Sequence, residues 1–372
     1  HFVKSGNRTD DSVHQGNLED LRRILGRDDF TYVADSKLCT SDNLKHLTGY
    51  GGTFVTVMPR TWGEDKRFRQ VLREGRVRWK EILRIPNRRR KNDPPDIFSS
   101  CTWVPRSDLG YRLVWIKSSQ KALEDSLYRE AQLRRALSEL GDLALKLNRR
   151  RLRSVRAIQQ ALKEILERLG VDRFLEVKLK ERVQLIPRRL KPGRPSADDP
   201  VRMEKRRTWA LKVHRNSQEI TRQKRTDGVF PILTNIEKAS KRKILEIYKY
   251  QPYIEKRFAQ LKTELEIAPV YLKKPRRAAA LVHAYFFALV AASLIEREVR
   301  RGMKRDNIEA LPLLPEGRAT KTPTCPRILE AFNAVGWQEF TRGEEVIAFP
   351  ITLTPLQKEV LRLLRVPEES YK

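Results

Sequence analysis

Three side chains with chemistry to offer stand out from a background of lysine and arginine. Glu255 and Lys262 lie seven residues apart in "YKYQPYIEKRFAQLK", residues 248–262. On an α-helix that spacing puts them within about 20° of each other around the axis. Ile254, Phe258, Leu261 and Leu265 recur at helical intervals and are expected to face a core, with Glu255 and Lys262 on its rim. The third residue is Asp35, which closes the alternating run "FTYVADS", residues 30–36. Carboxylates are hard oxygen ligands of the kind Mg²⁺ takes, and a lysine one register further on suits a phosphate. Each residue also has an ordinary alternative. A glutamate on a helix rim is commonly a solvated charge, and an aspartate at a strand end commonly serves a turn or caps a helix.

The elements that must position these residues read as an α/β chain. In residues 1–60, "HFVKSGN" reads as the end of a strand, "NLEDLRRIL" as a helix stopped by Gly26, and "FTYVADS" as a strand. "SDNLKHLTG" follows as a short helix with Ser41 as its cap, then "GTFVTVMP" as a strand. Alternating strands and helices imply a partly parallel sheet, and ligands of such sheets bind at the carboxyl ends of strands, where Asp35 is expected. Residues 226–302 resume this pattern with the strand "DGVFPILTN", a helix from Ser240, a break at Pro252, the Glu255 helix and a long helix from 276. Residues 303–372 read as a helix, a hairpin at 337–350 and a last helix opened by "TPLQ", a capping box on Thr354 and Gln357.

Residues 61–225 differ in character. They hold 44 Lys/Arg against 21 Asp/Glu, so 23 of the chain's net +30 lie there. The strand "YRLVWIKSS" precedes two leucine-striped helices, about 120–148 and 155–169, expected to form an αα-hairpin. "FLEVKLKERVQL" and "TWALKVHR" read as strands flanking the loop "IPRRLKPGRPSADDP". Trp62, Trp79, Trp103, Trp115 and Trp209 all fall in this span and read mostly as core or strand residues.

Charge on this scale calls for a polyanionic partner, first of all nucleic acid, with an acidic membrane surface as the weaker alternative. Cys39, Cys101 and Cys325 are widely spaced and lack zinc spacing, which suits a reducing, cytoplasmic setting. The stretch 278–295 is 18 residues without a charge, at the lower limit of a membrane span. Arginines flank it on both sides, so it reads as a helix buried in a large domain, with no membrane partner. Two acidic residues meeting at a sheet edge of a basic protein suggest Mg²⁺ held for phosphodiester chemistry, in which a pair of ions serves the attacking and the leaving oxygen.

Five blocks in order, "SGNRTDDSVH", "YVADSKLCTSDNL", "GGTFVTVMPRT", "DGVFPILTN" and "YIEKRFAQLK", make the chain resemble bacterial insertion-sequence transposases of the DDE type. That group carries Tyr-x2-Arg-x3-Glu-x6-Lys near its third acidic residue. Here the positions are Tyr248, Gln251, Glu255 and Lys262, so Gln251 stands where the group has arginine. The resemblance implies an RNase H-like α/β core, incomplete because its first strands are missing, interrupted by a large basic α+β insertion and followed by a helical C-terminal region. It implies residues 1–60 as the first part of the core, 61–225 as the insertion, 226–302 as the second part and 303–372 as the C-terminal region.

Asp35 and Glu255 are then the second and third acids of a metal-binding triad. Lys262, Tyr248, Gln251 and Arg257 fall to DNA contact. The resemblance also implies Mg²⁺ as cofactor, the terminal inverted repeats of the element as DNA partner, and a homodimer that brings two ends together. The first acid is expected on a strand before "HFVKSGN", in a longer protein of which this chain is a fragment; Asp10 and Asp11 sit in a turn. The alternatives are a DNA-binding remnant without cleavage, and a basic RNA-binding protein that needs no acidic site.

Overall fold

The computed structural model describes residues 10–86, 94–103, 105–149, 151–189, 201–263, 267, 270–336, 338–342, 345–349 and 351–371. The strand expected in 1–7, the arginine run at 88–90, the loop 190–200 and Leu265 lie outside the described residues. So do the side chains of Gln251, Ile254, Glu255 and Leu261. The chain divides into two compact units, one made of Thr9–Lys249 and the other built chiefly from Tyr250–Lys372. The boundary thus falls between Lys249 and Tyr250 and cuts the 226–302 span.

The larger unit is built on a six-stranded mixed sheet in the order β1-β2-β8-β5-β4-β3. Its strands are β1 (Thr31–Ala34), β2 (Thr53–Val57), β3 (Lys80–Ile85), β4 (Asp96–Ser100), β5 (Arg112–Ser118) and β8 (Val229–Thr234). β1 and β2 are parallel, with Ala34 opposite Thr56, and every other neighbouring pair is antiparallel. β3, β4 and β5 therefore share a sheet with β1, β2 and β8, although they belong to the basic 61–225 span.

Period-two alternation sends side chains to two buried faces. Phe54, Leu113, Trp115, Val229 and Leu233 face one side and pack with residues of α1 (His14–Leu25), α2 (Ser41–Gly49) and α3 (Gly63–Glu74). Val55, Val114, Ile116 and Ile232 face the other, under Ile244 and Leu245 of α7 (Lys241–Tyr248). Trp62, Trp79 and Trp103 pack against the first face, and Trp115 lies within it. Gly26 ends α1 in the left-handed conformation, as its position suggests. The cap of α2 is Thr40, whose hydroxyl accepts from Asn43 N, so Ser41 is the first helical residue and not the cap.

Outside the sheet stand α4 (Ser119–Lys146) and α5 (Val155–Leu169), the expected αα-hairpin, sealed by Leu133, Leu140, Ile158 and Leu162. A ribbon of β6 (Leu175–Arg189) and β7 (Val201–Arg215) leans its base on this hairpin through Val177, Leu179, Trp209 and Leu211. Asn148, at the hairpin's turn, exchanges two hydrogen bonds with the backbone of Trp209. α6 (Ser217–Lys224) leads back into β8.

That return is fixed at Asp227 and Gly228. The Arg129 guanidinium of α4 makes a bidentate pair with Asp227 at 2.8 Å, both side chains 6% exposed. Gly228 adopts φ +73° and donates its N–H to Asp125 of α4; a Cβ there would fall 2.3 Å from Ser118 O. Arg69 of α3 closes the junction by donating to the carbonyls of Thr226 and Val229.

The smaller unit gathers on α9 (Pro275–Arg305) with α8 (Gln251–Thr263), α10 (Cys325–Glu330), α11 (Pro355–Leu364) and the hairpin of β9 (Gln338–Arg342) and β10 (Glu345–Phe349). Val299, Met303, Ile328, Val360 and Leu363 form its core. Gly302 lets α11 approach so closely that a Cβ would meet Leu363 at 2.9 Å. Thr354 and Gln357 make the capping box of α11. By length and composition α9 could cross a membrane. Its apolar stretch is not buried as the sequence suggests: within 278–295 only Ala292 is fully covered, and Phe287 is 68% exposed. The packing of α10 and α11 serves the C-terminal half of α9 and leaves the apolar half outside this core.

Replacing Arg129 by Met would leave the Asp227 carboxylate buried without its partner, at a cost of about 3–5 kcal/mol. Gly228→Ala combines a left-handed backbone with a backbone collision and is expected to cost more than about 3 kcal/mol. Both variants should lower the thermal unfolding midpoint well below that of a surface control such as Lys163→Gln. An unchanged midpoint for either would show that the junction does not hold β8 in place.

Candidate functional site

The parallel pair β1–β2 sends the chain out at one edge of the sheet, and Asp35 is the first residue beyond β1. Its backbone is clamped: Thr56 Oγ1 donates to Asp35 O at 2.6 Å and Leu38 N does so at 3.3 Å. Its carboxylate is exposed and accepts from Lys37 N at 2.9 Å through Oδ1, capping the short 3-10 turn Ser36–Leu38. Asp35 thus fills the capping role open to a strand-end aspartate, and still presents carboxylate to solvent at the carboxyl end of a strand.

The same sheet edge carries a cleft of about 390 Å³. Val57 ends β2, Phe230 is the second residue of β8, Ser118 ends β5 and Asp96 begins β4; all four line the cleft. Asp96 accepts from the hydroxyls of Ser118 (2.9 Å) and Ser119 (3.2 Å) and from Gln120 N (3.0 Å), which fixes it at the N-terminus of α4. Lys249, just past α7, enters from the opposite side with its ammonium 4.5 Å from the Phe98 ring centroid. Burial lowers the pKa of Lys249, while the charges of Asp96 and Glu124 pull it back up. Tyr248 is half-buried beside Phe230, with ring centroids 6.3 Å apart, and lines the cleft too. The arrangement offers a desolvated amine, a phenol and fixed carboxylates to a small polar group.

Asp35 and Asp96 share this edge but not a site. Four strand spacings separate β1 from β4 in the order β1-β2-β8-β5-β4, about 19 Å at 4.8 Å per spacing. Among the described residues no group of three His, Cys, Asp or Glu gathers in one place. Against Mg²⁺, Asp35 alone fits as one ligand: an oxygen donor, exposed, on a fixed backbone.

The remaining site residues of the sequence analysis lie on α8, in the smaller unit. Lys262 is exposed in its last turn. Phe258, expected to face a core, is 59% exposed. Arg257 is engaged within the unit, pairing with Glu296 at 2.8 Å and donating to Gln260 at 2.9 Å. Glu296 of α9 is nearly inaccessible and also takes Arg300 (3.3 Å) and the backbone N–H of Cys325 (3.0 Å). Arg257 is therefore one partner of a buried carboxylate that ties α8 and α10 to α9. All three cysteines are free and buried; burial pushes the Cys39 thiol up to about 12 and Cys101 up to about 11.

Sequence reasoning passed over Asp96 and Lys249. Lys249 stands inside the very stretch singled out for Glu255, but its signal is three-dimensional, a lysine brought onto Phe98 by α7. Asp96 owes its position to the β4–β5 pairing, which brings it to Ser118. Comparison of the chain with protein-family models, with curated proteins and with solved structures finds no match. What is established is a mixed α/β protein on a six-stranded mixed sheet.

The depressed pKa of Lys249 sets a pH dependence. The folded state holds this proton less tightly than the unfolded chain does, so the unfolded chain binds more protons between the lowered value and the ordinary 10.5. Stability contributed by Lys249 therefore rises with pH across that window. In an NMR titration of the ¹³C-methylated lysines, Lys249 is expected to titrate below the surface lysines. Asp96→Asn should move it lower still, because the Asp96 charge raises it. A Lys249 that titrates with the surface lysines would contradict this account of the cleft.

Proposed function

We propose that the chain belongs to a Mg²⁺-dependent DNA transposase of the insertion-sequence type, which cuts and joins DNA strands at the ends of its own element. The observation that carries the proposal is Asp35, an exposed carboxylate on a clamped backbone at the carboxyl end of β1, inside the second of five sequence blocks that occur in the order of that family. In this reading β1 and β2 are the last two strands of an RNase H-like core, and β8, β5, β4 and β3 prolong its sheet. The net charge of +30 supports a polyanionic substrate.

Asp35 holds the metal in this proposal, and Glu255 is the acid that the family signature assigns to the same chemistry. Mg²⁺, when bound, neutralises phosphodiester charge and activates the attacking oxygen. Asp35 contributes an oxygen fixed in place by its backbone bonds to Thr56 and Leu38, so little reorganisation accompanies binding. Lys262 contacts a phosphate near the cut, and Gln251 supplies an amide where the family has a guanidinium. Arg257 is assigned a supporting role through Glu296 in place of direct DNA contact. Tyr248 acts from within the cleft beside Phe230, which orients its ring. The second reading is a DNA-binding protein without cleavage, favoured by the use of Asp35 Oδ1 as a cap.

Electron paramagnetic resonance of Mn²⁺ tests the proposal without relying on turnover. Asp35→Asn and Glu255→Gln are each expected to weaken Mn²⁺ binding by tenfold or more while leaving DNA affinity within twofold. Mn²⁺ binding that both variants leave intact would remove the catalytic reading and leave the second one.

A further inference from the structure

Among the described residues, the outer half of the β6–β7 ribbon has no packing partner. The ladder runs without a register break from Leu175↔Arg215 to Arg189↔Val201. Its base is covered by the α4–α5 hairpin. Beyond Glu181 and Trp209, residues 182–185 and 201–207 are all exposed, on both faces. Eight residues at about 3.3 Å each carry the ribbon roughly 26 Å past its support. A two-stranded ribbon in water is marginal on its own, so so long an arm calls for a function.

Residues opposite one another in an antiparallel pair share a face. One face of the outer half carries Arg182, Arg206, Arg188 and Arg202, with Glu204 as its one acid, and the Lys178–Lys212 pair continues it toward the base. Two of these pairs, Lys178↔Lys212 and Arg188↔Arg202, set like charges directly opposite each other. Such pairs destabilise a free ribbon; Glu204 compensates Arg188 at 3.1 Å, and a polyanion lying along the face would relieve the remaining cations. A second observation agrees. Where the ribbon leaves the helical hairpin there is a cleft of about 540 Å³, whose charged lining is Arg153, Arg188, Lys205, Arg206 and Arg207 against the single acid Glu204.

We infer that the outer half of this ribbon is a DNA-reading arm whose arginine face enters the major groove of duplex DNA, with the cleft beside Arg153 taking the flanking phosphates. The inference rests on the DNA-handling reading above and adds the element and the groove. The major groove of B-form DNA is about 12 Å wide and 8.5 Å deep and admits a two-stranded ribbon. Arginines on the inward face meet guanine O6 and N7, which a guanidinium contacts bidentately. The deep, narrow major groove of A-form RNA excludes the same arm. The alternative occupant is an acidic membrane, because Val183, Leu185, Val201 and Met203 on the other face are 53–58% exposed, interleaved there with Lys205 and Arg207. Four arginines to one acid on the first face, and five cations to one acid in the cleft, favour the duplex.

The test is the triple variant Arg182→Gln, Arg202→Gln, Arg206→Gln in the full chain, beside a control triple of equal charge, Lys66→Gln, Arg76→Gln, Lys163→Gln. Binding to a mixed-sequence duplex is followed by fluorescence anisotropy at several salt concentrations. The ribbon triple should lower affinity at least tenfold and reduce the salt slope by roughly 0.9, the one phosphate contact of Arg206 in the cleft, since Arg182 and Arg202 read bases. The control should change affinity less than threefold. Dimethyl sulfate, which methylates guanine N7, should report protected guanines with the native chain and none with the ribbon triple. Equal losses from both triples, unprotected guanines, equal binding of duplex RNA, or an arginine dependence seen only with phosphatidylserine vesicles would each overturn the arm. A native chain that binds no duplex at all would overturn the DNA reading beneath it as well.

Discussion

The sheet of this protein depends on one closely packed junction, where Asp227 and Gly228 return the chain to α4. β8 lies between β2 and β5, yet more than a hundred residues of chain separate it from β5. A central strand that arrives so late must be steered into register. The bidentate Arg129–Asp227 pair supplies direction in a site from which water is excluded. Gly228 supplies the turn, in a conformation and a space that a side chain would not share. Once β8 is placed, its two faces complete two cores, and the edge that carries Asp35, Val57 and Phe230 is aligned.

That junction also explains how a strongly charged excursion is accommodated. The α4–α5 hairpin and the ribbon leave the sheet after β5 and come back through α6, so their cations are displayed away from the buried faces. Within the sheet unit, arginines that are buried or half-buried have assigned partners: Arg129 has Asp227, Arg69 has Asp65 at 2.6 Å, and Arg112 donates to three carbonyls of the turn after β8. In the smaller unit Glu296 plays the converse part, a buried carboxylate that collects Arg257 and Arg300. Charge thus serves architecture where it is covered and remains available to a partner where it is exposed.

Local order was legible in the sequence wherever a single element carries its own signal. The leucine stripe of α5, the glycine after α1, the restart at Pro252 and the capping box of α11 all appear where periodicity and cap chemistry place them, whereas of the α4 stripe Leu140 and Leu147 are buried but Leu123 and Leu127 are exposed. Sheet order was not legible, because nothing in "DGVFPILTN" says that it will lie between β2 and β5. The ribbon was read as two shorter strands: past Glu181 and Trp209 no core enforces alternation, and the ladder continues on hydrogen bonds alone. The apolar half of α9 was read as buried because composition reports what a helix could bury and not what is there to cover it. Of the candidate site, the strand-end position of Asp35 and the exposure of Lys262 were legible. The capping bond of Asp35, the engagement of Arg257 by Glu296 and the approach of Lys249 to Phe98 arise from tertiary contacts that no spacing announces.

The central proposal is that the Asp35 carboxylate is a metal ligand. Anomalous diffraction from crystals soaked in Mn²⁺ in the presence of duplex DNA tests it most directly. The expected result is a Mn²⁺ peak ligated by the Asp35 carboxylate. A map with no peak at Asp35, its carboxylate still held only by the Lys37 N–H, would contradict the claim.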